Sequence, residues 1–282
     1  MKIISNPSEL QGIALDTRFS GQSTALVPTM GFLHDGHKSL LLAARNKADK
    51  VILSIFVNPT QFGPNEDLAA YPRDFTRDCE IAENAGVDIV FAPKPEAMYS
   101  PGHATWVEVP ELAKNLCGKS RPIHFRGVCT IVLKLFNLTL PNFALFGEKD
   151  WQQLAIIRAM TADLNLPIKI EGCPIVREAD GLALSSRNAY LTQAEREQAP
   201  HIYKGLKLAQ KLAREGESNP KQLKETVVEY WKNHLPDGVV DYLEFVDPVQ
   251  IASAKAVHGE TLLAAAVKLG KARLIDNLLI RS

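Results

Sequence analysis

Residues 51–57 read V-I-L-S-I-F-V, a run in which Ser54 is the one polar side chain. Successive side chains of a strand point to opposite faces, so a strand that is apolar at nearly every position is buried on both faces. Asn58-Pro59 stops the run. Such a strand calls for a parallel sheet covered by helices, and the surrounding chain supplies the parts. Residues 24–29 (T-A-L-V-P-T) form a second short strand pattern, 38–47 have helical composition, and 73–85 read as a helix with Gly86 as its stop. Strand patterns follow at 87–91, 143–146 and 168–171, with an apolar helix at 127–138 and another helix at 150–164, for which Asp150 is a candidate N-cap. The expectation is an α/β fold: a Rossmann-like parallel sheet with helices on both faces, over residues 1–178.

The pattern changes near Tyr190. Thr192 followed by Glu195 resembles a capping box, predicting a helix that runs to Arg214. A break at 216–220, a helix at 221–234 and strands at 239–246, 262–267 and 272–276 predict a smaller C-terminal α+β domain, residues 179–282. With 282 residues, two domains are the default, since single domains commonly hold about 100–150.

Formal net charge is zero and no long Lys or Arg run occurs, which argues against a non-specific nucleic-acid binder and a membrane-surface helix. Cys79, Cys117, Cys129 and Cys173 form no C-x-x-C pair, so structural zinc and a disulfide framework both fit poorly. The N-terminus lacks the apolar stretch of a signal peptide, and no run of ~20 apolar residues is present. A cytoplasmic protein without a membrane partner is expected.

Unusual residues gather just after the expected strands, where parallel sheets bind ligands. After the first comes P-T-M-G-F-L-H-D-G-H at 28–37. Its glycines allow close approach to a ligand, and its helix N-terminus favours anions. His34 and His37 suit hydrogen bonding to phosphate; a plain turn with two surface histidines, or a metal pair, is the alternative reading. After another strand comes F-G-E-K-D-W-Q-Q at 146–153, with Lys149 a candidate phosphate contact and Gln153 one turn along on the same side. A charged turn with a helix cap explains it as well. Ser185, Ser186 and Arg187 suit a mobile phosphate clamp or a polar linker. Gln61, in F-V-N-P-T-Q-F, could hydrogen-bond a polar substrate or belong to an Asn-Pro turn. The basic loop at 121–127 could cover an anionic site or stay solvated.

Taken together, P-T-M-G-x-L-H-D-G-H at 28–37, S-I-F-V-N-P-x-Q-F at 54–62, R-P-x-H-F-R-G-V at 121–128, F-G-E-K-D-x-Q-Q-L at 146–154 and D-G-L-A-L-S-S-R-N at 180–188 resemble the pantoate–β-alanine ligase family, in order and with suitable spacing. R-L-I-D-N at 273–277 fits the family's ending. The 34–37 element also resembles the wider nucleotidylyltransferase (HIGH-motif) group, which includes class I tRNA synthetases. The resemblance implies a two-step reaction. Pantoate attacks the α-phosphorus of ATP to give pantoyl adenylate and pyrophosphate, and β-alanine then displaces AMP to give pantothenate. It implies an ATP site lined by Met30, Gly31, Phe32, Leu33, His34, Asp35, Gly36 and His37, by Gly147, Glu148, Lys149 and Asp150, and by Val176, Leu184, Ser185, Ser186 and Arg187. His37 would be the nominal proton donor, with His34, Lys149, Ser185, Ser186 and Arg187 acting beside it. Gln61 and Gln153 would hold pantoate. Mg²⁺ would accompany ATP, with no ligand set assigned, and a homodimer is implied. The rival readings are a simple nucleotidylyltransferase and a non-catalytic nucleotide-binding protein.

Overall fold

Strand and helix alternate through the first part of the chain in the computed structural model, which describes residues 1–64 and 66–281. The elements are β1 (Lys2–Ile4), α1 (Pro7–Phe19), β2 (Thr24–Thr29), α2 (Asp35–Arg45), β3 (Lys50–Ile55), α3 (Phe75–Asn84), β4 (Ile89–Phe91), α4 (His124–Thr139), β5 (Phe143–Gly147), α5 (Trp151–Asp163) and β6 (Lys169–Cys173). Two units result. The first comprises Met1–Pro110, Arg121–Glu148 and Ile156–Pro174; the second comprises Glu111–Ser120, Lys149–Ala155 and the chain from Ile175 onward.

All six strands of the first unit pair in parallel, in the order β1-β4-β3-β2-β5-β6. The central strands are buried on both faces, as their composition predicts. Ala25, Val27, Val51, Leu53, Val90 and Leu145 pack on one side against Leu40, Leu41 and Ala44 of α2 and Ala82 of α3. Leu26 and Ile52 face the other side, where α4 crosses β2 and packs along α1. Each fully buried aliphatic side chain there contributes roughly 1.5–3 kcal/mol. From β2 the chain proceeds outward through β3 and β4, then returns to place β5 on the opposite flank of β2, where Leu26 pairs with Ala144. The carboxyl ends of β2 and β5 therefore flank a topological switch point, the usual ligand position in such sheets.

The second unit carries α6 (Gln193–Gln198), α7 (His201–Arg214), α8 (Pro220–His234), β7 (Gly238–Val246), β8 (Glu260–Leu269) and β9 (Ala272–Arg281). Its strands form an antiparallel sheet in the order β7-β8-β9. Leu206 and Ala209 of α7, Leu223, Val227 and Trp231 of α8, and Leu263, Ala265 and Val267 of β8 share one apolar core. The Thr192–Glu195 capping box forms: Glu195 N–H donates to Thr192 Oγ1 at 3.4 Å, and Thr192 N–H to Glu195 Oε2 at 2.8 Å. The single helix expected to reach Arg214 is instead two, because Pro200 has no N–H to continue the ladder and its ring crowds the preceding turn.

Gly205 lets α7 and α8 approach closely. A Cβ there would lie 2.3 Å from Trp231 Nε1, and that indole N–H donates to His201 O at 2.9 Å. Gly205→Ala is expected to cost about 1–3 kcal/mol through overpacking. Urea unfolding followed by far-UV circular dichroism checks this, and an unmoved midpoint would show that the crossing relaxes without strain.

Candidate active site

At the end of β2 the chain must reverse into α2 within five residues, 30–34. Gly31 (φ +83°) and Phe32 (φ +50°) both take the left-handed region. A Cβ on Gly31 would sit 3.0 Å from Asp78 Oδ2 and from Ile55 Cγ2, so both conformation and space require glycine. Phe32 bears the strain of that region, worth roughly 1–2 kcal/mol. Its N–H donates to Asp78 Oδ2 at 2.8 Å, and Leu33 N–H donates to Asp78 Oδ1 at 2.6 Å. Asp78 is only 1% exposed, and burial pushes its carboxyl above the ordinary range in spite of the two N–H donors. Arg77 lies over the Phe32 ring, 5.5 Å from its centroid.

The turn delivers His34 in extended conformation (φ −137°, ψ 176°) as the N-cap of α2. Gly36 N–H donates to His34 Nδ1 and His34 N–H donates to His37 Nδ1, each at 3.2 Å. An imidazole nitrogen that accepts carries no hydrogen, so in both rings the hydrogen resides on Nε2. The ring centroids are 4.0 Å apart. The sequence motif thus yields two neutral N–H donors at a helix N-terminus, beside the switch point. Asp35 is exposed in the first turn of α2, and Met30 is half-buried.

After β3, Gln61 is buried and locked. Its Oε1 accepts from Asn58 Nδ2 at 3.0 Å, and its Nε2 donates to Met30 Sδ at 3.1 Å. Asn58 is 1% exposed; it also donates to Gly127 O at 3.1 Å and accepts from Tyr99 OH at 2.8 Å. Gly127 permits this approach, since a Cβ would meet Thr60 O at 2.5 Å. The basic loop at 121–127 is neutralised within the first unit. Arg121 binds both Glu66 carboxylate oxygens, at 2.8 and 2.5 Å, and Arg126 lies 5.0 Å over Trp106 and 3.7 Å from Glu108. The Glu66 carboxyl titrates below its ordinary range: burial raises it, but the bonds and charge of Arg121 outweigh that. His124 Nδ1 lies 3.0 Å from Gln61 O. After β5, Gly147 and Glu148 are half-buried.

Within the second unit, Lys149 and Asp150 close a short 3₁₀ turn ahead of α5, with the ammonium of Lys149 3.9 Å from Asp150 Oδ2. Gln153 is half-buried. Its neighbour Gln152 is a structural tie: it accepts from Cys117 N–H at 3.0 Å and donates to Leu112 O at 2.9 Å and Asn115 O at 2.7 Å. Val176 and Leu184 meet in a backbone hydrogen bond, Leu184 N–H to Val176 O at 3.0 Å. Ser185 then caps the 3₁₀ turn Ser186–Tyr190 by accepting Arg187 N–H at 3.3 Å, and Ser186 is buried. The first unit thus gathers Met30 to His37 with Gln61, and the second holds Lys149, Gln153, Val176 and 184–187. Asp78 and Asn58 are the residues that sequence reading does not single out as functional. Asp78 sits inside an ordinary helix pattern, whereas Asn58, adjoining Gln61, reads as a turn residue.

Comparison with known proteins follows the same lines. The family described as Pantoate-beta-alanine ligase matches residues 2–279. A pantothenate synthetase of Oleidesulfovibrio alaskensis is 59% identical over 278 residues, 99% of each chain, and one of Geobacter sulfurreducens is 50% identical over 98% of each. Among solved structures, the pantothenate synthetase of Thermus thermophilus superposes with a TM-score of 0.95 at 41% identity over 100% of both chains. A pantoate-beta-alanine ligase of Francisella tularensis, complexed with beta-gamma ATP and beta-alanine, gives 0.81 at 36% identity, covering 99% of this chain and 97% of that one.

Asp78 supplies a test of the turn. Its folded pKa is raised above 3.8, so its contribution to stability is present below that value and is lost as pH rises through the folded pKa. At neutral pH the buried charge is therefore a cost, and Asp78→Asn removes the cost together with one N–H acceptor. The variant is expected to unfold within about 1–2 kcal/mol of the parent. Its NMR spectrum is expected to show shifted His34 and His37 imidazole resonances, because the turn no longer holds the histidines in place. Unmoved resonances would show that the turn stands without the carboxylate.

Proposed function

The chain belongs to the pantoate-beta-alanine ligase family and is an ATP-dependent ligase joining pantoate to β-alanine to give pantothenate; we propose that it works in two steps through a pantoyl adenylate. In the first, a pantoate carboxylate oxygen attacks the α-phosphorus of ATP and the bond to the bridging oxygen of pyrophosphate breaks. In the second, the β-alanine amine attacks the acyl carbon, and AMP leaves with the bonding electron pair while the amine loses a proton. No covalent bond to the protein is needed, so the residues act by positioning and charge stabilisation.

The observation that carries this reading is the imidazole pair at the N-terminus of α2, with both Nδ1 atoms engaged in capping. Negative charge grows on the pyrophosphate oxygens as they leave. Two neutral Nε2–H groups and the positive end of a helix suit that charge without any proton transfer. His37 is assigned as a hydrogen-bond donor on this basis, with His34 beside it. Gln61, held by Asn58, is assigned to pantoate together with Gln153. Lys149, Ser185, Ser186 and Arg187 are assigned to the phosphates. Among the described residues, no group of three or more His, Cys, Asp or Glu side chains is arranged to hold a metal ion. Mg²⁺ is taken to arrive on the triphosphate, keeping several of its own waters as this ion prefers. None of the described helices is long and apolar enough to cross a membrane. A cytoplasmic homodimer completes the proposal.

Pyrophosphate release is the assay. Sustained release and AMP formation with ATP, Mg²⁺ and pantoate are expected only when β-alanine is present. Steady release regardless of β-alanine would point to a simple adenylyl transferase, and no release at all to a binding protein. His37→Ala is expected to lower the single-turnover rate of adenylate formation ~10²-fold or more, as loss of such a donor does elsewhere. A near-normal rate would remove His37 from the mechanism.

A further inference from the structure

The R-L-I-D-N stretch at 273–277 lies in β9. Asp276 and Asn277 are each 5% exposed. Buried polar groups of this kind are costly unless fully bonded, so their partners indicate what they are for. The Asp276 carboxylate accepts Arg177 Nη1 and Nη2, each at 2.7 Å, and also the Asn277 N–H at 2.7 Å. The Arg177 guanidinium lies 3.6 Å over the Tyr203 ring and donates to Gly181 O at 3.0 Å. The Arg177 backbone also bridges to Ala183, so this anchor lies one residue from Val176 and, across the bridge, two residues from Ser185. Asn277 reaches a different segment: its Nδ2 donates to Lys149 O at 3.0 Å.

We propose that Asp276 and Asn277 are positioning residues for the nucleotide, Asn277 setting the Lys149 turn and Asp276 the strand that leads into Ser185, Ser186 and Arg187. The inference rests on the reading of Lys149 and residues 185–187 as nucleotide contacts. Lys149 follows β5 in a single 3₁₀ turn, which has poor hydrogen-bond geometry of its own. One amide donor on its carbonyl therefore decides much of its conformation. Loss of that donor leaves a carbonyl unsatisfied and frees the turn, so the ammonium spends less time where a phosphate would sit. The residue touches no reacting atom in this scheme; its effect passes entirely through Lys149.

A double-mutant cycle tests this. Asn277→Ala is expected to slow single-turnover pyrophosphate release with ATP and pantoate ~10-fold, leaving the KM for β-alanine unchanged. In a Lys149→Ala background the same substitution is expected to change the rate by less than ~2-fold, because coupled residues are not additive. An equal loss in both backgrounds, or no loss in the parent, would overturn the proposal. A parallel rise in the KM for β-alanine would mark general loosening of the unit and would overturn it too. If Lys149→Ala alone leaves release unaltered, the reading of Lys149 falls first and the inference with it. Asn277→Ser, which leaves less empty volume, carries the same test if the alanine variant does not fold.

Discussion

Between β2 and α2 two consecutive backbone N–H groups, of Phe32 and Leu33, are aimed at one carboxylate that water scarcely reaches. Two left-handed residues in succession, one of them phenylalanine, do not persist without such a partner. The carboxylate in turn would be hard to bury without two donors. Each makes the other tolerable. What the arrangement secures is the entry angle of α2, hence the extended N-cap at His34 and the direction of both imidazoles. The flanking strand β2 contributes the remaining restraint: Gly31 N–H donates to Thr29 Oγ1 at 3.2 Å, and that hydroxyl donates to Ser54 O at 2.7 Å. The most demanding backbone of the first unit therefore lies at the switch point, between rigid neighbours.

The second unit is tied by a different device. Its chain is discontinuous in sequence, taking in Glu111–Ser120 and Lys149–Ala155 as well as the C-terminal part. These excursions bury Leu112, Leu116, Cys117 and Leu154. Polar side chains add directional ties inside the unit: Gln152 binds the 112–117 segment, Asn277 binds Lys149, and Arg273 spans Asp241, Ser120 and Cys117. Burial raises the cost of leaving Tyr242 charged in the last cluster and pushes its phenol well above the ordinary range, with the neighbouring Cys117 adding to the shift. Hydrogen bonds of this sort are directional, so they specify register more sharply than apolar contact of equal area.

This difference governs what could be read from the chain alone. Periodicity reports burial, so β2, β3, α2 and the helices of the second unit were legible, as were local signals such as Thr192 with Glu195 and Gly86 at φ +77°. The edge strand β1 spans three residues and the helix after it mixes polar and apolar positions, so neither stands out. Pro200 interrupts a helical pattern whose apolar spacing continues through it. Of the candidate site, the histidines, Lys149, Gln61 and Gln153 stand out in the sequence by their types and their positions after strands. Asp78, buried beneath a turn forty-five residues earlier at Leu33, was not. An aspartate in the first half of an amphipathic helix looks solvated, and nothing within its own window tells otherwise. A boundary drawn as one cut near 178 likewise has no means of expressing a unit assembled from three pieces.

The capping role of the histidines also limits what can replace them. A lysine at either position would bring a positive charge to the helix N-terminus, where the dipole already disfavours it, and would have no acceptor for the backbone N–H. Asparagine or serine would cap α2 well, but would leave no N–H on the far side of the ring for an anion. Neutral imidazole does both at once, accepting through Nδ1 and donating through Nε2, about two bonds apart on a rigid plane. Protonation at Nδ1 would remove the acceptor and with it the cap. In the proposed mechanism such a site would stabilise a departing pyrophosphate by preorganised donors rather than by giving up a proton, and its effectiveness would depend on how firmly the turn at Gly31 and Phe32 is held.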